Sequence, residues 1–503
     1  MKDIAVIGAG GVAGLACLHE LLNTDKDGNC TIKEGKLPKE CLFNVVGFEQ
    51  KSEIGGTWFS NGFKRDPPMP SQEILDTECY DDVRTIRPTN RNCPAWNLES
   101  ATFEKPIRTE IDPNYINWSN TALWPKLYTN SPESYMKYST LAIDDQSPEG
   151  YNPFITHEQL RKRMLDFAQH ENIQSKIRFN TEVYNVKKQD SKWILTLRVV
   201  GDNHDSWYQQ AFDAIMLAQG SFGIPYIPYF KGLSQYVALH PGAVLHSKAY
   251  RDPQEFKDKR VVIIGGNISA IDLGQYLEPW CKEVIISRDL SREPYLPFMA
   301  RCINAFKNVE LLEEFIPETK ELKLTNGQSL SDVDHVIIAT GYHIELPFLE
   351  EGILQYSIPS NGRFPSSNSR IKGLYQHVFN IEDPSIVFVG KLVVQTCFRN
   401  MESQAAAVVG IWSGMKQLPS KQEQYKWEQE RLSKVQEHLF HKYDIYTLRK
   451  DFFDPMSQFY LDERPDPLYD HLLESMDEYE FSLETFEKLF NEYRTGERDI
   501  RDD

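Results

Sequence analysis

The stretch Ile4-Ala5-Val6-Ile7-Gly8-Ala9-Gly10-Gly11-Val12-Ala13-Gly14 decides how the rest of the chain reads. Four apolar residues of strand character enter a glycine-rich turn, and Leu15 to Leu22 then carries helical spacing. A glycine turn between strand and helix lets backbone N–H groups approach a pyrophosphate at the positive helix N-terminus. Gly8, Gly10 and Ala13 fit the GxGxx(G/A) pattern in that context, and Gly14 follows. The next strand, Leu42 to Phe48, ends in Glu49, a carboxylate suited to accept hydrogen bonds from two ribose hydroxyls. The separation exceeds the usual ~20 residues because the hydrophilic stretch from Asn23 to Glu40 reads as a surface insertion.

Further along, the pattern recurs with the opposite sign. Arg260 to Ile264 reads as a strand, Gly265-Gly266-Asn267-Ile268-Ser269-Ala270 as a turn, and Ile271 to Leu277 as a helix. The following strand, Val284 to Ile286, leads into Ser287-Arg288, and an arginine there suits a 2′-phosphate. One unit ending in Glu49 and one in Arg288 imply FAD in the first and NADPH in the second. Asn267 stands where a second glycine is usual, so its side chain is expected to crowd the pyrophosphate and weaken binding.

Around these units the chain is easily divided. Ala214 to Ala218 is a buried strand ending at Gly220, and Val336 to Ala339 ends in Thr340-Gly341, a tight turn at the ligand edge of such sheets. Ile224-Pro225-Tyr226-Ile227-Pro228 reads as a hinge. Residues 65–126 read as a loop-rich excursion, Thr156 to Gln169 as a helix, and 177–186 with 193–199 as a strand pair. The expected fold is α/β with two Rossmann-like dinucleotide-binding domains. The NADPH domain, 228–343, is inserted into a FAD domain made of 1–227 and 344–418. Residues 419–503 form an acidic region with a helical pattern, expected to be a solvated cap.

The chain has 503 residues, 41% hydrophobic and 25% charged, which fits a soluble globular protein of several domains. A net charge of -18 disfavours nucleic acid and anionic membranes as partners. Mean hydropathy is -0.49, and no run approaches the ~20 apolar residues of a membrane span. The apolar stretch beginning at Ile4 leaves no room for a signal peptide, and the C-terminal Asp499 to Asp503 carries no targeting signal, so a cytoplasmic location is expected. The eight cysteines are scattered, without a CxxC pair or zinc-ligand spacing, so neither disulfides nor a metal site is expected.

With these motifs in place, the sequence resembles the flavin-containing monooxygenases, class B flavoprotein oxygenases, most closely their fungal members. Phe48-Glu49-Gln50-Lys51-Ser52-Glu53-Ile54-Gly55-Gly56-Thr57-Trp58 resembles the family's flavin segment, which places Gly56 and Trp58 beside the flavin. Phe230-x-Gly232, His246-Ser247 and Tyr250 resemble the FxGxxxHxxxY fingerprint, with a longer gap before the histidine. Ala339-Thr340-Gly341-Tyr342 is similar to the ATGY motif, Tyr128-Thr129-Asn130-Ser131 to the segment of the active-site asparagine, and Glu402-Ser403-Gln404-Ala405 to the late ExQA segment. Departures are Gln219 in the first ATG-like segment and Ala406 where many members carry arginine.

The resemblance implies that NADPH reduces FAD and that O₂ then forms a C4a-(hydro)peroxyflavin shielded by NADP⁺. A soft nucleophile, a small thiol, thioether or amine, takes the distal oxygen, with sulfur first. It implies that Asn130 helps to hold the oxygenated flavin, and that His246, Tyr250, Ser269, Ala270, Thr340, Gly341 and Gln404 lie at the cofactors.

Three other readings compete. A disulfide reductase needs a redox cysteine pair behind the first flavin segment, and none occurs. A Baeyer–Villiger monooxygenase shares the chemistry, with Tyr250 mildly against it. A non-catalytic flavoprotein-like binding or regulatory protein is the reading that Asn267 and Gln219 favour. The sequence leaves the oligomeric state open.

Overall fold

The protein is described here from a computed structural model, over residues 1–88, 93–94, 98–142, 145–294, 296–359 and 362–499. The end of the chain from Ile500 to Asp503, read above for a targeting signal, lies outside the described residues.

The apolar run Lys2–Ile7 becomes a strand paired in parallel with Phe43–Phe48 on one side and Ala214–Leu217 on the other. Both faces of such a strand are covered, hence its unbroken hydrophobic reading. Four more strands complete a seven-stranded sheet. Ile177–Arg178 lies beyond Phe43–Phe48, and Ile386–Phe388, Phe379–Asn380 and Leu374–Tyr375 follow beyond Ala214–Leu217. The second sheet has five strands, in the order Lys307–Val309, Glu283–Ser287, Arg260–Ile264, His335–Ile338, Val244–His246, all parallel. Its strands all fall between Ala214–Leu217 and Ile386–Phe388 of the first sheet, so the expected α/β class with two Rossmann-like units is what the chain forms. Helices Val12–Leu22 and Ile268–Leu277 follow the two glycine turns.

The strand pair read near 181–199 belongs to a four-stranded antiparallel sheet, ordered Ile107–Glu110, His204–Phe212, Lys192–Val199, Thr181–Gln189. The helix His157–His170 carries a full capping box, Thr156 accepting from the Gln159 N–H and Gln159 from the Thr156 N–H. Among the described residues no helix is long and apolar enough to cross a membrane, and all eight cysteines are free.

Two expectations need correction. The Pro-rich segment expected as a hinge does not cross between the units alone. Tyr226 N–H donates to the Gly341 carbonyl at 3.0 Å and His343 N–H to that of Ile224 at 2.9 Å, so outgoing and returning segments are stitched together. The C-terminal region is no solvated cap. Helix Asp477–Thr495 buries Phe486, Leu489, Phe490 and Tyr493 in the core of the second unit, with Phe490 edge-on to Phe306. Upstream, Leu448, Phe452, Met456 and Leu461 enter the core of the first unit. Its charge reads polar because one face is solvated, while the other bridges both units.

This bridge has a buried electrostatic anchor. Arg464 donates through Nε to Glu20 Oε1 at 3.1 Å, below the first helix, with Glu402 nearby at 3.9 Å. Burial desolvates all three, and removing one partner strands the others. Arg464→Met is expected to destabilise the protein by ~3–5 kcal/mol in urea unfolding. The double variant Glu20→Gln/Arg464→Met should recover a large part of that loss, and a single variant with wild-type stability would contradict this role.

Candidate functional site

At the first turn, packing leaves no room for a Cβ at Gly8, Gly10 or Gly14. Gly8 has φ +85, and a Cβ there would lie 2.4 Å from Gln219 Cα; at Gly14 it would lie 2.3 Å from the Gly8 carbonyl oxygen. The helix that starts at Val12 has no side-chain cap at Gly11 and no acidic residue in its first turn, so its N–H groups face outward unneutralised. Glu49 closes the second strand as expected. It is buried, accepts from the Gly10 N–H at 3.0 Å and the Lys51 N–H at 3.0 Å, and burial raises its carboxyl above the usual range. Gly10 has no Cβ to displace that carboxylate, since one would sit 2.9 Å from Glu49 Cγ.

The surroundings fit a flavin dinucleotide. Among the described residues, both amide atoms of Gln219, at the strand end beside Gly8, are buried without a partner, as are both of Asn400 and the Nε2 of Gln404. Gln404 uses its Oε1 to hold the Gly390 N–H at 2.8 Å, and Gly390 abuts Ala13. Unpaired buried amides of this kind call for a polar group that the protein itself does not supply. Gly56, with φ +52, packs on Gly11, and Trp58 lies half-buried against the first core. Lys51, unnoticed in the sequence, donates to the Gly56 carbonyl at 2.7 Å, and burial pushes its ammonium down to about 8.

The second turn is built alike but is less open. Gly265, with φ +141, would place a Cβ 2.5 Å from the Ala339 carbonyl oxygen. Asn267 does not crowd the turn through an unusual backbone angle. It lies in ordinary extended geometry and caps the helix, its Oδ1 accepting from the Ile268 N–H at 2.8 Å. Ala270 is buried and Ser269 half-buried beyond it. Arg288 is neither solvated nor free. It is buried, with Nε on Asn308 Oδ1 and Nη2 on Asn304 Oδ1, both at 2.8 Å. A 2′-phosphate at this strand end has to take the guanidinium from those amides.

His246 and Tyr250 are interior residues. His246 Nδ1 accepts from the Lys248 N–H at 3.1 Å, so its Nε2 carries the proton and donates to the Gly341 carbonyl at 3.0 Å. This ties the edge strand to the turn after Thr340, whose hydroxyl donates to the Tyr226 carbonyl at 2.6 Å. Tyr250 is buried edge-on to Trp124, and its hydroxyl has no partner among the described residues. Asn130 is exposed on a turn fixed by Thr129, whose N–H donates to the Ile155 carbonyl at 2.8 Å. The turn lies between the two cores. Tyr128 packs in the second, and Tyr138 packs in the first and donates to the Val12 carbonyl at 2.9 Å.

The fold and its first turn define a flavoprotein with two dinucleotide-binding units. The family model of flavin-binding monooxygenase-like proteins matches residues 115–292 and 308–470. The flavin-containing monooxygenase ustF2 of Aspergillus flavus is 26% identical over 456 residues, covering 84% of both chains. The flavin-containing monooxygenase iboF of Amanita muscaria is 25% identical over 460 residues, or 83% of this chain and 80% of its own. The solved structure of S-allyl-L-cysteine S-oxygenase from Allium sativum superposes with a TM-score of 0.64 over 98% of this chain and 94% of that one, at 21% identity. The chain belongs to the flavin-binding monooxygenase-like family and is an oxidoreductase of that class.

Two predictions follow from this geometry. Gly14→Ala forces apart strand and helix, so the purified variant should carry little or no visible flavin absorbance; full flavin content would contradict the close approach. Burial pushes the His246 imidazole down from 6.5 to about 3. Between those values the unfolded chain takes up a proton that the folded one refuses, so stability is full above pH 6.5 and falls as pH falls. His246→Gln should remove up to about 1.4 kcal/mol per pH unit of that slope. Unfolding midpoints measured across this window check it, and an unchanged slope counts against a neutral, buried His246.

Proposed function

We propose that the chain is an FAD- and NADPH-dependent monooxygenase that transfers one oxygen atom of O₂ to a small soft nucleophile, a thiol, thioether or amine, with sulfur first. When bound, the flavin supplies hydride acceptance and oxygen activation, and NADPH supplies the hydride. The observation that carries the reading is the first turn, where a cradle closed to a Cβ at Gly8, Gly10 and Gly14 meets buried amides unpaired among the described residues and an uncapped helix. The route is the one that the resemblance implies.

In it, the Gly8–Gly14 turn and Glu49 hold the adenosine diphosphate half, while Gln219, Asn400 and Gln404 present amides to the rest of the cofactor. Gly265, Ser269 and Ala270 receive the second dinucleotide, with Arg288 at its 2′-phosphate. Asn130, exposed between the two cores, orients the reacting groups where the units meet. The turn at Thr340-Gly341, pinned by His246 and Tyr226, positions the second sheet edge and needs no titration of its own. Residues 228–343 serve as the nicotinamide unit and 1–227 with 344–418 as the flavin unit. One observation favours the non-catalytic reading: Asn267 occupies a helix N–H that a pyrophosphate would otherwise receive.

Anaerobic mixing of the FAD-loaded protein with NADPH or NADH tests the proposal. NADPH should bleach the flavin faster than NADH, and Arg288→Gln should weaken NADPH about ten- to a hundredfold, the loss of a charge-assisted hydrogen bond of ~1.5–3 kcal/mol. Asn130→Ala should leave bleaching intact but release more hydrogen peroxide on exposure to oxygen. No bleaching by either nucleotide would overturn the proposal and favour the non-catalytic reading.

A further inference from the structure

Strand Ile386–Phe388 leads through Val389 and Gly390 into Lys391, a residue with no role in the reading above. Lys391 is 4% exposed, and among the described residues its ammonium meets no hydrogen-bond acceptor and no carboxylate. Two residues on, Val393 forms a parallel bridge with Lys442 and donates its N–H to the His441 carbonyl at 2.9 Å. That pairing brings Lys442 beside Lys391. Lys442 is half-buried, and its ammonium likewise meets no acceptor among the described residues.

The neighbours offer no counter-charge. Both nitrogens of His441 are engaged, Nε2 by the Ile371 N–H and Nδ1 by His377. Glu428 and Glu437 are both committed to Arg370. Burial and the adjacent Lys442 push the Lys391 ammonium down to about 7, so it stands poised to regain its charge when an anion arrives. Among the described residues no carboxylate is set against either ammonium. Charging a buried lysine beside a second one, with no partner among the described residues, is costly unless a ligand completes the pair.

Their place in the sheet indicates which ligand. Lys391 lies two strands from Lys2–Ile7, about 10 Å at the usual spacing, on the side opposite Glu49. If Glu49 takes the ribose, as proposed above, Lys391 lies toward the flavin end of the cofactor, where the acceptor would be oxygenated. Val393, on the segment that carries Lys391 and pairs with Lys442, is 55% exposed, so this corner borders solvent.

We propose that Lys391 and Lys442 form an anion-binding subsite that receives the carboxylate of the acceptor, which makes the preferred acceptor a small anionic sulfur or nitrogen compound. The location rests on the monooxygenase reading; the anion binding does not. The negative charge of the flavin itself is the other source of the same chemistry, and the test separates the two.

The probes are 3-(methylthio)propanoate and its uncharged amide, titrated by calorimetry into the FAD-loaded protein without NADPH. The carboxylate is expected to bind at least ~tenfold tighter than the amide. Lys391→Met should bring the two near parity, Lys391→Arg should keep the preference, and Lys442→Gln should reduce it. Equal binding of both probes by the wild type, or a preference that survives Lys442→Gln and Lys391→Met, overturns the subsite. A preference that persists in Lys391→Met while FAD content falls assigns the charge to the cofactor and overturns it too. Should Lys391→Met fail to fold, Lys442→Gln decides alone. Carboxylate preference in a protein that never oxidises NADPH keeps the subsite and loses the monooxygenase reading, whereas turnover without preference does the reverse.

Discussion

The structure depends on how closely the first helix comes down on the first strand. Gly14 lies where a Cβ would press on the Gly8 carbonyl, and Gly47 where one would meet the Ala9 side chain at 2.6 Å. Strand, turn and helix therefore close into one rigid unit with bare N–H groups at its mouth. Glu49 is buried there by hydrogen bonds to Gly10 and Lys51, which offset part of the desolvation of its carboxylate. The rest of the site is arranged around this mouth: Gln219 from the neighbouring strand end, Gly390 against Ala13, and the amides of Asn400 and Gln404 on the helix Cys397–Trp412. Conformational freedom is removed before any ligand arrives, which is what a preorganised binding site requires.

A second constraint fixes the two units to each other. The paired segments 224–226 and 341–343 cross side by side, and the C-terminal region reaches from the core of one unit to that of the other. Asn130 lies on a chain segment that itself runs between those cores. The junction thus rests on three separate connections rather than on one flexible linker. Rigid positioning of this kind is the main contribution a protein makes when cofactors supply the reactive atoms.

Much of this was legible in the sequence, for identifiable reasons. Parallel strands buried on both faces write themselves as apolar runs, so Lys2–Ile7, Arg260–Ile264 and His335–Ile338 could be read directly. Glycine turns and the acid at Glu49 are local signals. Pairing at long range is not. His204–Phe212 and Ile107–Glu110 are polar and exposed on one face, and only their partners make them strands. The charged C-terminal region misled for a similar reason, since helical spacing alone does not say what its apolar face meets. Arg288 was read correctly as a cation at a strand end, but its capture by Asn304 and Asn308 depends on a helix and strand that fold back on it. Lys391 escaped notice because a lone lysine after a glycine is unremarkable until its burial is known.

The most direct test of the central claim, that the first turn is built for a flavin dinucleotide, is a titration of flavin-free protein with FAD and with FMN. On the proposed reading the turn and Glu49 engage the adenosine half, so FAD should bind one to one and far more tightly than FMN, and Glu49→Gln should narrow the gap. Equal affinity for the two, or binding of neither, would contradict the account.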